Sequence, residues 1–179
     1  NENDEYENGD WVRRESIQSH ISSNIYNQKT SIHWKMFLFL HNLVPTDGGQ
    51  GVDNKGLWNY YKLIFDSCFS SYKEFIFNIT LNPAMLVYLN LSFSQKETPD
   101  ENYAREVQEL FTVGKRPFSM FTEDDVREAA RLLVGFQVDY DSLSRDGEVS
   151  YVPVQWNHDT GDKQFSSFYG NKKIEGRDT

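Results

Sequence analysis

Between Ser31 and Leu43 the apolar residues recur on every side of a helical wheel, and a helix of that kind must be surrounded by other structure. Ile32, Met36, Phe39 and Leu43 follow one helical line, while Trp34, Phe37 and Leu38 make the other side apolar too. The spacing predicts a helix buried on most of its faces, and the chain supplies neighbours for it. Leu57, Tyr60, Tyr61, Ile64, Phe65 and Cys68 are spaced for a second, amphipathic helix. Phe69 to Ile79 reads as a further aromatic helix, and Asn82 followed by Pro83 as an N-cap and first-turn proline ahead of a short helix through Met85 to Leu89. Pro45 to Gly56 holds enough glycine to read as a loop.

Thr98-Pro99-Asp100-Glu101 is a start signal in which Thr98 caps, Pro99 pre-sets the first turn and Glu101 reaches back to the cap. It predicts a helix from Pro99 to about Val113, with Tyr103, Val107, Leu110 and Phe111 as the buried stripe and Gly114 as terminator. Thr122-Glu123-Asp124-Asp125 repeats the capping logic, with three acids over the positive end of the helix dipole, and opens a helix burying Val126, Ala129, Ala130 and Leu133. Past Gly135, Val149, Tyr151, Val152 and Val154 alternate with polar residues. A turn at His158 to Lys163 and an aromatic run from Gln164 to Tyr169 follow, predicting a β-hairpin or extended arm. The expected fold is therefore mainly α, a multi-helix domain over residues 31–179 with an aromatic-rich core and a small C-terminal β-hairpin or arm. Residues 1–30 are expected to form an acidic linker, Asn1 to Asp10, and a lead-in helix.

A formal charge of −9 leaves no basic stripe to neutralise phosphates, so nucleic acid is not an expected partner. The densest apolar run, Met36 to Leu40, falls far short of the roughly 20 residues that cross a bilayer. Cys68 is the single cysteine, so no intrachain disulfide can form, and its aromatic surroundings predict a buried, inert thiol. The chain starts at Asn1 with no charged-then-apolar leader after it, and is read as a piece of a larger protein.

Four polar residues on separate elements, His41, Glu106, His158 and Asp159, have the side-chain types that metal binding or general acid–base chemistry requires. His41 falls on the side of its helix shared with Trp34, Phe37 and Leu38, where a buried, hydrogen-bonded histidine is the alternative. Glu101, Arg105 and Glu109 lie one turn apart as an exposed ladder of opposite charges. Glu106 lies at the edge of the apolar stripe one turn after Asn102, suited to a hydrogen bond between helices or to a site. Arg127 and Arg131 read as a solvated face, or as partners of Glu106 or Glu109 across a helix contact. His158 to Lys163 concentrates an imidazole, two carboxylates and an ammonium on one turn. Such density on a loop points to function, although Asp, Thr and Gly are also good turn formers. No calcium loop, His-Glu-x-x-His, phosphate-binding glycine loop or Gly-x-Ser-x-Gly elbow is present.

Taken together, these segments resemble the bacterial family catalogued as domain of unknown function 1800. The resemblance centres on Pro99-Asp100-Glu101-Asn102-Tyr103-Ala104-Arg105-Glu106, continues through Glu109-Leu110-Phe111-Thr112 to Gly114, and resumes at Thr122 to Arg131, at Gly135, and at His158-Asp159 and Lys163. Upstream, Met36, Phe39, His41 and Asn42 resemble the family's Met-x-x-Phe-Trp-His-Asn-His-Phe helix, with Leu40, Leu43 and Val44 in place of its tryptophan, second histidine and last phenylalanine. Pro83 to Leu86 with Tyr88-Leu89 resemble its next block.

The resemblance covers about Ile32 to Gly170 and implies a central fragment of a secreted or cell-envelope protein, with no established activity. It groups Asn102, Arg105, Glu106, His158 and Asp159 as a set. The leading expectation is an exported binding or assembly module in which Asn102, Arg105, Asp159 and Lys163 meet an unidentified ligand or protein partner. The rival is a metal-assisted hydrolase, with His41, His158 and Asp159 at a divalent metal and Glu106 and His158 as catalytic groups. In a third reading Glu106, Arg105 and His158 only lock the helices and hairpin together.

Overall fold

The computed structural model describes residues 2–29, 31–47, 53–142 and 149–176. Helix α1 (Glu2–Asn27) leads into α2 (His33–Leu43), α3 (Asn54–Asp66), α4 (Tyr72–Thr80) and α5 (Pro83–Tyr88). The middle helix of the five, α3, touches all four of the others. Its apolar stripe is as the spacing predicts, since Leu57, Tyr60, Ile64 and Cys68 are all buried. Asp53 caps it by accepting a hydrogen bond of 2.7 Å from the Gly56 amide. Most of the expected glycine loop, residues 48–52, lies outside the described residues.

The core is aromatic and its polar ends are satisfied. Tyr60 and Tyr103 are fully buried. Tyr60 donates its hydroxyl to the Val44 carbonyl, and Tyr103 donates to Thr80 Oγ1 at 2.7 Å, as buried phenols must if burial is not to cost stability. Burial pushes both phenols well above their usual pKa. Asn82 caps α5, accepting from the Ala84 amide at 3.0 Å, with Pro83 in the first turn.

Two expectations for this half are corrected. Helix α2 is not enclosed: it buries Phe37 and Leu40, but Ile32 and Phe39 are 62% and 59% exposed. Its main described neighbour is α3, and one helix covers one face of another. The acidic stretch expected as a linker lies within α1 from Glu2 onward.

The second half is built on α6 (Asn102–Glu106) and α7 (Glu123–Leu133), which pack together. The start of α6 differs from the expected one. Thr98 forms a bridge with Gln95 instead of capping, and Asp100 accepts the Asn102 amide at 2.8 Å, so the helix begins at Asn102. From Val107 to Thr112 it continues as a π-helix. The Val113 amide reaches back five residues to the Gln108 carbonyl at 3.1 Å. The wider turns rotate the following residues, so that Gln108 is 6% exposed and Leu110 53% exposed. Leu110 therefore leaves the expected stripe, and Gln108 takes the interior position. Gly114, with φ +83°, ends the element as expected. Helix α7 starts with the full reciprocal capping box, Thr122 with Asp125.

The two C-terminal sheets are small and antiparallel: β1 (Phe136–Asp139) pairs with β2 (Ser150–Pro153), and β3 (Lys163–Gln164) with β4 (Lys173–Ile174). Ser150–Pro153 and Gln164 fall in the two runs expected to be extended, but they do not pair with each other, Ser167–Tyr169 forms a 3-10 turn, and Phe136–Asp139 and Lys173–Ile174 are strands beyond those expected. Ser150–Pro153 pairs instead with Phe136–Asp139 before it, and Gln164 with Lys173 after it. Among the described residues no helix is long and apolar enough to cross a membrane.

Candidate functional site around His158, Asp159 and Lys163

Three consecutive turns of α7 place Asp125, Glu128, Ala129 and Leu132 on one side. The C-terminal segment lies along that side. The Ser166 amide donates to Asp125 Oδ1 at 2.7 Å, and the Gln164 amide to Glu128 Oε2 at 3.2 Å. Asp125 is 1% exposed. Burial pushes its carboxyl up, but hydrogen bonds from Ser166 and Thr122 outweigh that and hold it below its ordinary pKa of 3.8.

Asp159 fastens the start of this segment. Arg131 donates from Nε to Oδ2 at 2.7 Å and from Nη2 to Oδ1 at 3.3 Å. The Gly161 amide donates to Oδ1 at 2.7 Å, and Lys163 Nζ stands 3.4 Å from the same oxygen. Burial raises the Asp159 pKa, and these donors, Arg131 first, pull it below 3.8. The Lys163 side chain is 3% exposed, and its ammonium donates to the Asp159 carbonyl, so Asp159 satisfies a lysine that burial would otherwise penalise. Gly161 leaves room for this pair: a Cβ there would lie 2.8 Å from Arg131 Nη2 and 3.1 Å from Asp159 Oδ1, so the Arg131 side chain would have to shift.

His158 is set from the other direction. Gly135, at φ +102°, turns the chain out of α7, and the Val154 amide donates to its carbonyl at 2.7 Å. His158 Nδ1 lies 2.8 Å from the Val134 carbonyl. A carbonyl only accepts, so Nδ1 carries the proton and Nε2 is the basic nitrogen of the neutral ring. Next to it, Asn157 is 1% exposed. Its Nδ2 donates to the Ser94 carbonyl at 2.8 Å, and its Oδ1 accepts from the Lys96 amide at 3.1 Å.

These elements wall a cavity of about 500 Å³, within the usual range for small-molecule sites. His158, Asp159, Lys163, Lys172, Lys173 and Glu175 are the polar residues lining it. Lys173 is paired with Asp162 at 2.6 Å. Among the described residues, Lys172 has no carboxylate within ion-pair distance.

Of the residues singled out in the sequence, His158, Asp159 and Lys163 thus meet at one cavity, and His41, Asn102, Arg105 and Glu106 do not line it. Arg105 instead joins α6 to the start of α7, bonding Glu123 at 2.8 Å and Glu101 at 2.9 Å, with Glu109 at 3.5 Å. The charge ladder is present and extends across the helix contact. Asn102 is exposed above it. Glu106 Oε2 is buried without a hydrogen-bond partner.

His41 stacks on Tyr61 and Phe37, with ring centroids 5.4 and 6.0 Å apart, and burial lowers its pKa. Among the described residues no three His, Cys, Asp or Glu side chains are arranged to hold a metal ion. The set His41, His158 and Asp159 fails to assemble because one histidine lies in the α2–α3 aromatic cluster and the Asp159 oxygens already serve Arg131 and Lys163. Arg131 and Arg127 reach neither Glu106 nor Glu109; Arg131 takes Asp159 and Glu128, and Arg127 takes Asp124 and, at 3.9 Å, Glu101.

Sequence reasoning placed Asp125 only at the start of a helix and left Asn157, Gln108 and Lys172 unremarked. For Asp125 the capping box explained the residue too completely to suggest a second contact. For Asn157 and Lys172 no local pattern carries a signal.

Comparison with known proteins returned no matching curated protein and no matching solved structure. One family model does match, described as protein of unknown function, DUF1800, and it covers residues 3–177.

Proposed function

We propose that this chain, which belongs to the DUF1800 family, binds a small organic anion in the cavity beside His158 and Lys172. The observation that carries the reading is the division of labour around Asp159. Its carboxylate is occupied by Arg131, Gly161 and Lys163, so it holds the wall and leaves the Lys172 ammonium as the donor an anion can engage, with the His158 ring lining the same cavity. Of the three lysines in the lining, Lys163 stands against Asp159 and Lys173 against Asp162, so the positive charge open to a ligand is that of Lys172. Asn102 and Arg105 belong in this reading to the helix-locking network, and Lys163 to the wall.

Export to the bacterial cell envelope is part of the proposal, resting on the family resemblance alone. Fractionation of cells producing the full-length protein tests it. Binding is tested by following the His158 ring resonances during titration with acetate and with inorganic phosphate. Saturable shifts that weaken at least several-fold in Lys172→Gln support the reading; identical, non-saturating responses in both proteins overturn it.

A further inference from the structure

A second depression lies beside the first. It has a volume of about 360 Å³ and is walled by Gln108, Ala129, Phe165, Tyr169, Lys172 and Ile174. Two of those residues, Lys172 and Ile174, also wall the cavity at His158. The two spaces therefore adjoin at the start of β4.

The chemistry of the two spaces differs. In the second, the Tyr169 hydroxyl donates to Gln108 Oε1 at 2.8 Å, and Gln108 Nε2 donates to the Ala104 carbonyl at 2.9 Å. Burial and the nearby Asp125 push the Tyr169 phenol up to about 12, so it stays neutral. With those polar groups satisfied by one another, the depression offers a ligand mainly the rings of Phe165 and Tyr169 and the side chains of Ala129 and Ile174. Lys172 stands between this apolar space and the basic one.

We infer that the anion bound at Lys172, beside His158, is a monocarboxylate whose alkyl or aryl tail passes Lys172 and Ile174 into the depression walled by Gln108, Ala129, Phe165 and Tyr169. This rests on the anion-binding reading and specifies its ligand. A monoanion matches the one lining lysine, Lys172, that has no carboxylate within ion-pair distance among the described residues, Lys163 and Lys173 being paired with Asp159 and Asp162, and an apolar tail matches walls whose polar groups bond one another.

The experiment compares acetate, butyrate and hexanoate by calorimetric or NMR titration of the whole chain. Affinity should rise by roughly threefold to fourfold for each methylene buried. Ala129→Leu, which fills the depression from the α7 side, should abolish the gain with length while leaving acetate unchanged. A variant with Phe165→Leu checks that any loss follows the space and not the fold. Acetate binding with no gain for hexanoate overturns the tail site and leaves the anion site standing. Failure of all three acids to saturate overturns both, and a gain with length that Ala129→Leu does not touch places the tail elsewhere and overturns the inference.

Discussion

Arg131 grips Asp159 through two different nitrogens, Nε on one carboxylate oxygen at 2.7 Å and Nη2 on the other at 3.3 Å. Its remaining nitrogen, Nη1, donates to Glu128 Oε2 at 2.8 Å. One side chain of α7 thereby fixes both the turn that follows His158 and its own helix face. The planar guanidinium suits this, since no lysine could serve both carboxylates with the same geometry.

Removing one partner should cost more than removing both. Arg131 and Asp159 side chains are 30% and 16% exposed, so Arg131→Ala is expected to lower stability by about 1–3 kcal/mol, between the values for exposed and buried pairs. Urea unfolding of the two single variants and the double variant measures it. Additive losses would show that the pair contributes nothing as a pair.

Acid should weaken the C-terminal segment before the helical core. The carboxyls of Asp125 and Asp159 are both held below 3.8 in the folded chain. A depressed acid contributes stability that is present above the unfolded pKa and lost as pH falls through the folded one, so the loss begins near pH 4 and deepens below it. Amide exchange at Ser166 and Gly161, whose N–H groups bond these carboxylates, should speed up there first. Asp125→Asn should flatten the dependence; an unchanged acid limb would remove Asp125 from the explanation.

His41 works in a different window. Burial lowers its pKa from 6.5, so the folded state disfavours the charged ring, and stability is complete above about 6.5 and falls as pH drops toward the lower folded value. His41 Nε2 is buried with no hydrogen-bond partner, so His41→Phe should be tolerated and should remove this limb of the pH profile. A loss of stability of several kcal/mol at neutral pH would instead reveal a bond to the imidazole that matters.

Gly135→Ala tests how His158 is placed. The substitution meets a φ of +102° and puts a Cβ 3.1 Å from the His158 Cα. A loss of roughly 1–3 kcal/mol is expected from the backbone strain alone. The same change should shift the His158 resonances and weaken acetate binding, whereas strain without movement would leave binding intact.

The sequence exposes whatever is decided locally. The Thr122–Asp125 box, the Asn82-Pro83 start and the Gly114 stop are all legible because each depends on residues within one turn. The start of α6 is misread at Thr98 because two adjacent signals compete and Asp100 wins. The polar set was expected to act together because it resembled one family pattern. In the fold it divides: Arg105 is held by Glu123 across the α6–α7 contact and Asp159 by Arg131. Arg131 and Asp159 are 28 residues apart, and nothing in the spacing of either segment announces the other. Lys172 is harder still, since its place at the cavity follows from a two-residue strand pairing that no periodicity marks.

The π-helical stretch from Val107 to Thr112 makes chain length, more than residue type, the variable that decides what this helix turns inward. A π segment is an α-helix carrying one residue too many. Deleting a single residue there would let the helix close normally and rotate everything after the deletion by about 100°. Two relatives differing by that one gap could share every helix of the domain, and align well on either side of it, yet present different side chains to the segment that Gln108 and Tyr169 join. Changes in what such relatives bind would then trace to a deletion that alters no cavity residue.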